Sequence, residues 1–422
     1  MSEPIVTVDG NRLREHVETN ATFGSVADGR GRTVLTGSSA DRDAREYLLG
    51  EFDRLGLDVT VDAVGNLAGR WTPESARPDA RPVATGSHLD SVPRGGWFDG
   101  PLGVYAALEA VEAIKESGLE PTRPLEVVSF TEEEGTRFGV GLLGSSVAAG
   151  LRSPASALAL EDGAGETLET RLESIGFRGQ GRLDATGWDA WLELHVEQST
   201  ALEDAGCRAG IVTAITGLEQ YTVTFVGEAD HAGGTRMGDR RDALRGAAAF
   251  VEDIGRGANE LAADNAPFAV ATVGSVSVEP NATNVVPGRV ELGLDIRDVE
   301  GEVIDELRRR AERSLARIEA NRDLETDLER RHGTRPAAMS RRCRRALEEA
   351  GRRADVPSME LPSGGGHDTM NVARVTDAGL LFVPSVDGVS HSPEEWTDWE
   401  DCRAGAQVLA SALADLSGAE PE

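Results

Sequence analysis

The sequence predicts a two-domain α/β protein: an open sheet with helices on both faces, interrupted by a compact βαββαβ insertion. Three observations lead there. Strand-like runs alternate with helix-like ones through the first half of the chain. Near residue 213 the rhythm changes, and it reverts beyond about residue 331. At 422 residues there is room for two or three domains, each with a core of its own.

In chain order, residues 38 to about 60 read as a capped amphipathic helix running into a strand. A β-rich run at 81–85 stops at Gly86, and 100–118 reads as an Ala-rich helix ending at a glycine. Residues 125–130 form a strand, and 191–198 alternate so that Glu193, His195 and Glu197 share one face. In such sheets the ligand-bearing loops sit at the carboxyl ends of the strands. From 213 the order becomes a strand at 220–226, a long helix at 238–263, strands near 268–278 and 288–296, a charged helix at 301–319 and a strand near 324–331. That is the ferredoxin-like plan. Residues 213–330 are therefore expected to be inserted into a domain built from 1–212 and 331–422, which resumes with a helix at 340–354.

The bulk properties narrow the function. Apolar content of 39% with 27% charge is globular. A formal charge of −30 excludes nucleic acid and anionic membrane as partners, because both would repel it. The acid is diffuse and Lys115 is the sole lysine, a composition suited to concentrated salt, where charges screen one another within ~3 Å at 1 M. The first twenty residues carry no basic segment followed by an apolar one, and no apolar run is long enough to span a bilayer. With Cys207, Cys343 and Cys402 far apart and reading as free thiols, a reducing cytoplasm is expected.

Five of the seven histidines, His88, His195, His231, His367 and His391, lie in segments flanked by Gly, Asp or Ser; His16 and His332 read as solvated surface. "GSHLDSVPRGGWFDG" (86–100) sets His88, Asp90 and Asp99 among residues of backbone freedom. "SFTEEEGTRFG" (129–139) puts Glu132, Glu133 and Glu134 at a strand end, where adjacent carboxylates repel unless something positive sits there. With "ELHVEQ" and "GVSHSPEEW", these loops supply three imidazoles and several carboxylates. Such donors suit zinc, or manganese, cobalt or nickel, and their number suits a pair of divalent metal ions bridged by a carboxylate. Asp90 is placed to accept the other N–H of the His88 ring. Gly139 to Gly144 is a literal GxGxxG, but three glutamates separate it from its strand, so it reads as the start of a helix packed against the sheet.

These blocks, together with "GEADHAGGTRM", "PNATNVVPG", "LDIRD" and "SGGGHDT", resemble the hydantoinase/carbamoylase branch of the M20 metallohydrolases, in family order from residue 10 to about 410. The resemblance implies a zinc-exopeptidase-like α/β/α catalytic domain with the ferredoxin-like insertion as dimerisation and lid domain. It implies two metals held by His88, Asp99 as bridge, Glu134, His195 and His391, with Glu133 as general base for a metal-activated water. Across a homodimer, His231 would steady the oxyanion and Asn281 hold the amide of the neighbour's substrate. Arg297 would clamp the substrate carboxylate, against the alternative of an ion pair with Asp295 or Asp298. Gln198, Gly366 and His367 would be further substrate contacts. Glu132 has no assigned role and is expected to face solvent or support its neighbours.

The expected reaction is hydrolysis of a ureido compound bearing a carboxylate, foremost an N-carbamoyl-L-amino acid. Allantoate hydrolysis and a dimetal aminoacylase or dipeptidase are the alternatives. Gly234, Arg236 and Ser199 depart from the family habit beside the substrate, and Leu218-Glu219-Gln220 matches neither main subgroup, so these positions bear on the substrate rather than the reaction.

Overall fold

The computed structural model describes residues 6–27 and 29–419; the first five residues of the stretch read for a leader lie outside them. The chain divides into two compact units, one of residues 1–213 and 338–422, the other of residues 214–337. The return to the first unit comes later than the sequence boundary at 330, because the strand Glu325–Thr334 stays paired with Gly217–Val226 through Thr334.

In the first unit the sheet runs in the order Asp58–Val61, Leu67–Trp71, Leu125–Phe130, Val83–His88, Ala190–Val196, Ala378–Val383, Ala209–Ile215. The four strands from Leu125–Phe130 to Ala378–Val383 are mutually parallel. Every residue of Val83–His88, Leu125–Phe130, Ala190–Val196 and Ala378–Val383 is buried, as expected of parallel strands covered on both faces. The two-residue period divides them between cores. Val83, Val127, Leu192 and Leu194 join a core with the helices Gly10–Ala21, Pro101–Glu116 and Trp399–Ser417, while Ala84, Val128 and Trp191 join Trp188, Val372 and Ala378. Because the central strands are parallel, the segments after His88, Phe130, Val196 and Val383 all leave the sheet at one edge.

The helix Pro101–Glu116 starts at a proline whose missing N–H costs nothing there, directly after Gly100 at φ +83°. The GxGxxG run leads into the helix Leu143–Ala148. The amides of Leu142, Leu143 and Gly144 donate to the carbonyls of Glu133, Glu132 and Thr131 at 2.7, 3.1 and 2.8 Å. A Cβ on Gly144 would lie 2.2 Å from Asn66 Oδ1, so this glycine permits close backbone approach.

His16 departs from the expected solvated surface. It shares the buried stripe of its helix with Leu13, Val17 and Asn20, its Nδ1 lies 2.8 Å from the Tyr47 hydroxyl, and its ring stacks on Tyr105. The 3.6-residue period carried it inward. His332 is exposed on its strand. Cys343 and Cys402 are buried free thiols, and Cys207 is half-buried. Among the described residues, no helix is long and apolar enough to cross a membrane.

The second unit is a four-stranded antiparallel sheet in the order Glu325–Thr334, Gly217–Val226, Arg289–Asp298, Val270–Glu279. The helices Ala243–Asp264 and Gly301–Arg322 pack on one another and on the sheet, completing the βαββαβ order. Tyr221, Val223, Phe225, Val290, Leu292 and Leu294 bury one face of the sheet against Phe250, Ile254, Leu307 and Ile318. Val270–Glu279 is an edge strand with Val270 and Val276 exposed.

Candidate metal centre

At the shared edge of the parallel strands, His88 ends its strand, Asp99 closes the loop that follows, Glu133 and Glu134 follow Phe130, His195 is next to last in its own strand, and His391 lies beyond Val383. Asp99 is the hub. Its Oδ1 is 3.2 Å from His195 Nε2 and 3.5 Å from His88 Nε2. Its Oδ2 is 3.2 Å from His391 Nε2, which in turn is 3.4 Å from Glu134 Oε2. Two candidate ligand sets result, His88–Asp99–His195 and Asp99–Glu134–His391, sharing one carboxylate. Glu133 Oε2 is 3.7 Å from His88 Nε2.

The rings are preset. His88 Nδ1 lies 3.1 Å from the Asp90 carbonyl and His195 Nδ1 3.0 Å from the Val196 carbonyl. A carbonyl only accepts, so each Nδ1 carries a proton and Nε2 is the ring nitrogen left facing the centre, where a cation can take the place of its own proton. Asp90 meets the ring with its backbone carbonyl, while its carboxylate, 3.7 Å from the same Nδ1, accepts the N–H groups of Glu133 at 3.2 Å and Glu134 at 3.1 Å. Two separate ligand loops are thereby tied together.

Glu132, expected to face solvent or to support its neighbours, is buried, and its Oε1 accepts the N–H groups of Arg137 and Phe138, both at 2.8 Å. It holds a left-handed φ of +55°, as do Gln198 at +61° and His391 at +55°. Such backbone costs ~1–3 kcal/mol per residue and gathers at sites where surrounding contacts over-determine it. The Gln198 amide donates to Ser385 Oγ at 3.1 Å, and its side chain reaches Asp99 Oδ2 at 2.9 Å and Ser390 Oγ at 3.3 Å.

The electrostatics ask for cations. Burial raises the Glu133 carboxyl, Glu134 and Asp368 add to the rise, and it stands well above the usual carboxylate range despite His88. Burial and Asp99 push Glu134 up to about 7. Burial acts to lower the His88 imidazole, but Glu133, Asp99 and Asp90 outweigh it and leave it well above its ordinary value. The hydrogen bond to Asp99 leads in raising His391 to about 9. The buried His88 Nε2 has no hydrogen-bond partner, although it faces the shared carboxylate. Three imidazoles and two carboxylates with lone pairs converging at these distances fit a pair of borderline-soft divalent ions.

His367, also buried, puts Nε2 3.0 Å from Ser363 Oγ and its ring edge-on to His195 at 4.5 Å between centroids. Gly366 precedes it in the loop after Ser358–Ser363. Glu193 also lies near His195 and His367, but its carboxylate is occupied, accepting from Ser87 Oγ at 2.7 Å and Thr369 Oγ1 at 2.6 Å. Ser199 hydrogen-bonds Glu197, which accepts the amides of Ala201 and Leu202 at 2.9 and 3.0 Å at the start of the helix Ala201–Ala205.

In the second unit His231 is exposed, and its Nδ1 accepts the amides of Gly233 and Gly234 at 3.1 and 2.9 Å. Nε2 therefore carries the proton and is a donor. Asn281 is exposed at φ +54°. Arg297 is in the ion pair that was its alternative role: Nε and Nη2 donate to Asp295 at 2.7 and 3.2 Å.

Sequence reasoning missed Glu395 and Ser390, which stand in the His391 block and bond around Asp99, and the fully buried Arg32, which donates to the carbonyls of Gly96 and Asp90 at 3.1 and 3.3 Å. A paired Glu394-Glu395 three residues after a candidate ligand histidine was the available signal for the first; Arg32 had none.

The profile of Peptidase family M20/M25/M40 matches residues 84–415. The chain is 39% identical over 417 residues to the N-carbamoyl-L-amino acid amidohydrolase of Geobacillus stearothermophilus, covering 98% of this chain and 100% of that one. It is 34% identical over 411 residues to the allantoate amidohydrolase of Bacillus subtilis, covering 96% and 98%. The crystal structure of an amidase of the hydantoinase/carbamoylase family from Burkholderia multivorans superposes with a TM-score of 0.89 at 37% identity, covering 99% of this chain and all of that one. The two ligand sets meeting at Asp99, the order of the blocks and these full-length likenesses have one reading: the chain belongs to the M20 metallohydrolases, in the hydantoinase/carbamoylase branch, and is an amidohydrolase.

Proposed function

We propose that this enzyme hydrolyses an N-carbamoyl-L-amino acid to the amino acid, carbon dioxide and ammonia, with two divalent cations bound. The observation that carries the reading is the position of Asp99, whose two oxygens face separate imidazole sets while Glu133 stands beside one of them. His88, His195 and Asp99 would hold one ion, and Asp99, Glu134 and His391 the other; zinc suits these donors, with manganese, cobalt or nickel as alternatives. Such a pair supplies a water whose pKa is drawn toward neutrality and polarises the ureido carbonyl. Glu133, 3.7 Å from His88 Nε2, would take a proton from water at Oε2 and deliver it to the departing nitrogen. Gln198, Gly366 and His367 line the substrate.

In the same proposal the enzyme is a homodimer. The edge strand Val270–Glu279, with Val270 and Val276 exposed, supports pairing with a second copy. The His231 of one copy would donate its Nε2 proton to the oxyanion in the neighbour's site, and Asn281 would hold the amide there. Arg297 would share its guanidinium between Asp295 and the substrate carboxylate. The enzyme works in a salt-rich cytoplasm on a small ureido substrate, without nucleic acid or membrane as partner.

A second reading, allantoate amidohydrolysis, is favoured by the full-length likeness to the Bacillus subtilis enzyme. Ammonia release in high-salt buffer with zinc or manganese decides between them, comparing N-carbamoyl-L-amino acids, allantoate and N-acetyl amino acids. Ammonia from the carbamoyl panel, lost in Glu133→Gln, is the expected result. Ammonia from allantoate alone moves the enzyme to that substrate. The N-acetyl compounds yield acetate and no ammonia, so they are followed by the free amino acid released, and turnover of these alone overturns the ureido class.

A further inference from the structure

Glu395 is 1% exposed and lies four residues beyond His391. Its Oε1 accepts the backbone N–H of Phe98 at 2.9 Å and of Asp99 at 3.1 Å. Its Oε2 is 3.0 Å from Ser390 Oγ, and that hydroxyl is 2.8 Å from Asp99 Oδ2. Glu395 thus holds Asp99 directly at its backbone, and its Oε2 shares the single proton of the Ser390 hydroxyl with the Asp99 oxygen that faces His391. The fold makes room for it at one place. A Cβ on Gly96 would stand 2.0 Å from Glu395 Oε1, so only glycine lets the carboxylate reach these amides. On the other side of the same loop, the buried guanidinium of Arg32 donates to the carbonyls of Gly96 and Asp90. The loop bearing Asp99 is therefore held between a buried acceptor and a buried donor. The acceptor arrives from the loop that carries His391, 296 residues away in sequence.

We propose that Glu395 is a positioning residue that fixes Asp99 against His391 and thereby sets how tightly the second metal ion is held. The proposal rests on the reading of Asp99 as a shared ligand. A carboxylate bridging two ions must present both oxygens at once; Glu395 fixes the backbone that carries Asp99, while Ser390 and Gln198 limit the rotation of its carboxylate. Reach, and not charge, is what this role requires. Gln can keep its carbonyl oxygen on the two amides and turn its NH₂ to Ser390 Oγ, which still donates to Asp99. Asp keeps the charge but is one methylene too short to touch all three partners.

The test titrates metal-free full-length protein with zinc against a chromophoric chelator, counts zinc per subunit by elemental mass spectrometry, and records the thermal midpoint of each metal-free variant. Glu395→Gln is expected to hold the second zinc within about threefold of the parent, and Glu395→Asp to hold it about 10–100-fold more weakly, the usual cost of losing a group that orients a ligand. The metal-free Glu395→Gln protein is expected to melt close to the parent, and Glu395→Asp, which leaves a buried partner unsatisfied, to melt lower. Gly96→Ala displaces Glu395 without removing any polar group and is expected to reproduce the Asp defect, which covers the case in which Glu395→Asp does not fold. Parental zinc affinity in Glu395→Asp or in Gly96→Ala, or equal weakening by Gln and Asp, overturns the proposal. A lowered melting point with zinc affinity intact would make Glu395 merely structural and overturns it too. Asp99→Asn separates the two layers: if it also binds two zinc ions like the parent, the shared-ligand reading is what fails.

Discussion

Gly100 is where backbone and site chemistry meet most tightly, and Gly100→Ala tests both. The residue sits between Asp99 and the helix Pro101–Glu116 at φ +83°, ψ −62°, a conformation that an L side chain enters at a cost of ~1–3 kcal/mol. An added Cβ would stand 2.5 Å from His88 Cε1 and Nδ1 and 2.7 Å from Nε2. Ordinary contact needs a further ångström or so, and the ring has little room to give it, since His88 is 1% exposed and its Nδ1 is tied to the Asp90 carbonyl. The ring must tilt, carrying Nε2 off its line to Asp99 Oδ1. A misplacement of about 1 Å at a reacting centre costs about 100-fold in rate. The variant is therefore expected to lose ~1–3 kcal/mol of stability by urea unfolding and about two orders of magnitude in kcat/KM, with weakened zinc binding. Gly100→Ala with kcat/KM and zinc affinity within about threefold of the parent would refute the reasoning, for then either the backbone or the ring moves freely.

Glu133→Gln is expected to lower kcat by about 10²–10⁴-fold while zinc per subunit stays at the parental value, which single-turnover kinetics and elemental mass spectrometry read separately. His16 carries a pH signature: burial lowers its imidazole below the ordinary 6.5, with Arg54 and Arg12 assisting and Glu51 and Glu112 opposing. A depressed value means that the stability of the neutral ring is present above pH 6.5 and is lost as pH falls through the folded value, so melting point against pH should fall below 6.5 less steeply in His16→Gln than in the parent. With a net charge of −30, the parent should melt higher as the screening length shrinks from ~30 Å at 0.01 M salt to ~3 Å at 1 M, a trend that a flat melting curve across that range would contradict.

Much of this was legible before the structure. The helix expected at 301–319 is Gly301–Arg322, and the strand expected at 125–130 is Leu125–Phe130, because hydrophobic period and glycine stops are local properties. The metal-type residues were legible as well, since imidazoles and carboxylates among glycines after a strand have few other uses. His16 went the other way. Its charged neighbours in sequence suggested a surface, while the stripe it shares with Leu13 and Val17 faces Tyr47 and Tyr105.

What the sequence by itself determined is which residue types end each strand and where the chain enters the second unit; the return, expected after 330, waits for the strand Glu325–Thr334 to end. What tertiary structure alone decided is who meets whom at those strand ends. The sheet order brings His88, His195 and His391 around the two oxygens of Asp99, turns the Asp90 carboxylate to the amides of Glu133 and Glu134, buries Glu132, pairs Arg297 with Asp295, and carries Glu395 across 296 residues to the amide of Asp99. Period and propensity act over a turn or a strand. A hydrogen bond between remote loops depends on which strands become neighbours, and that is settled by packing the whole sheet at once.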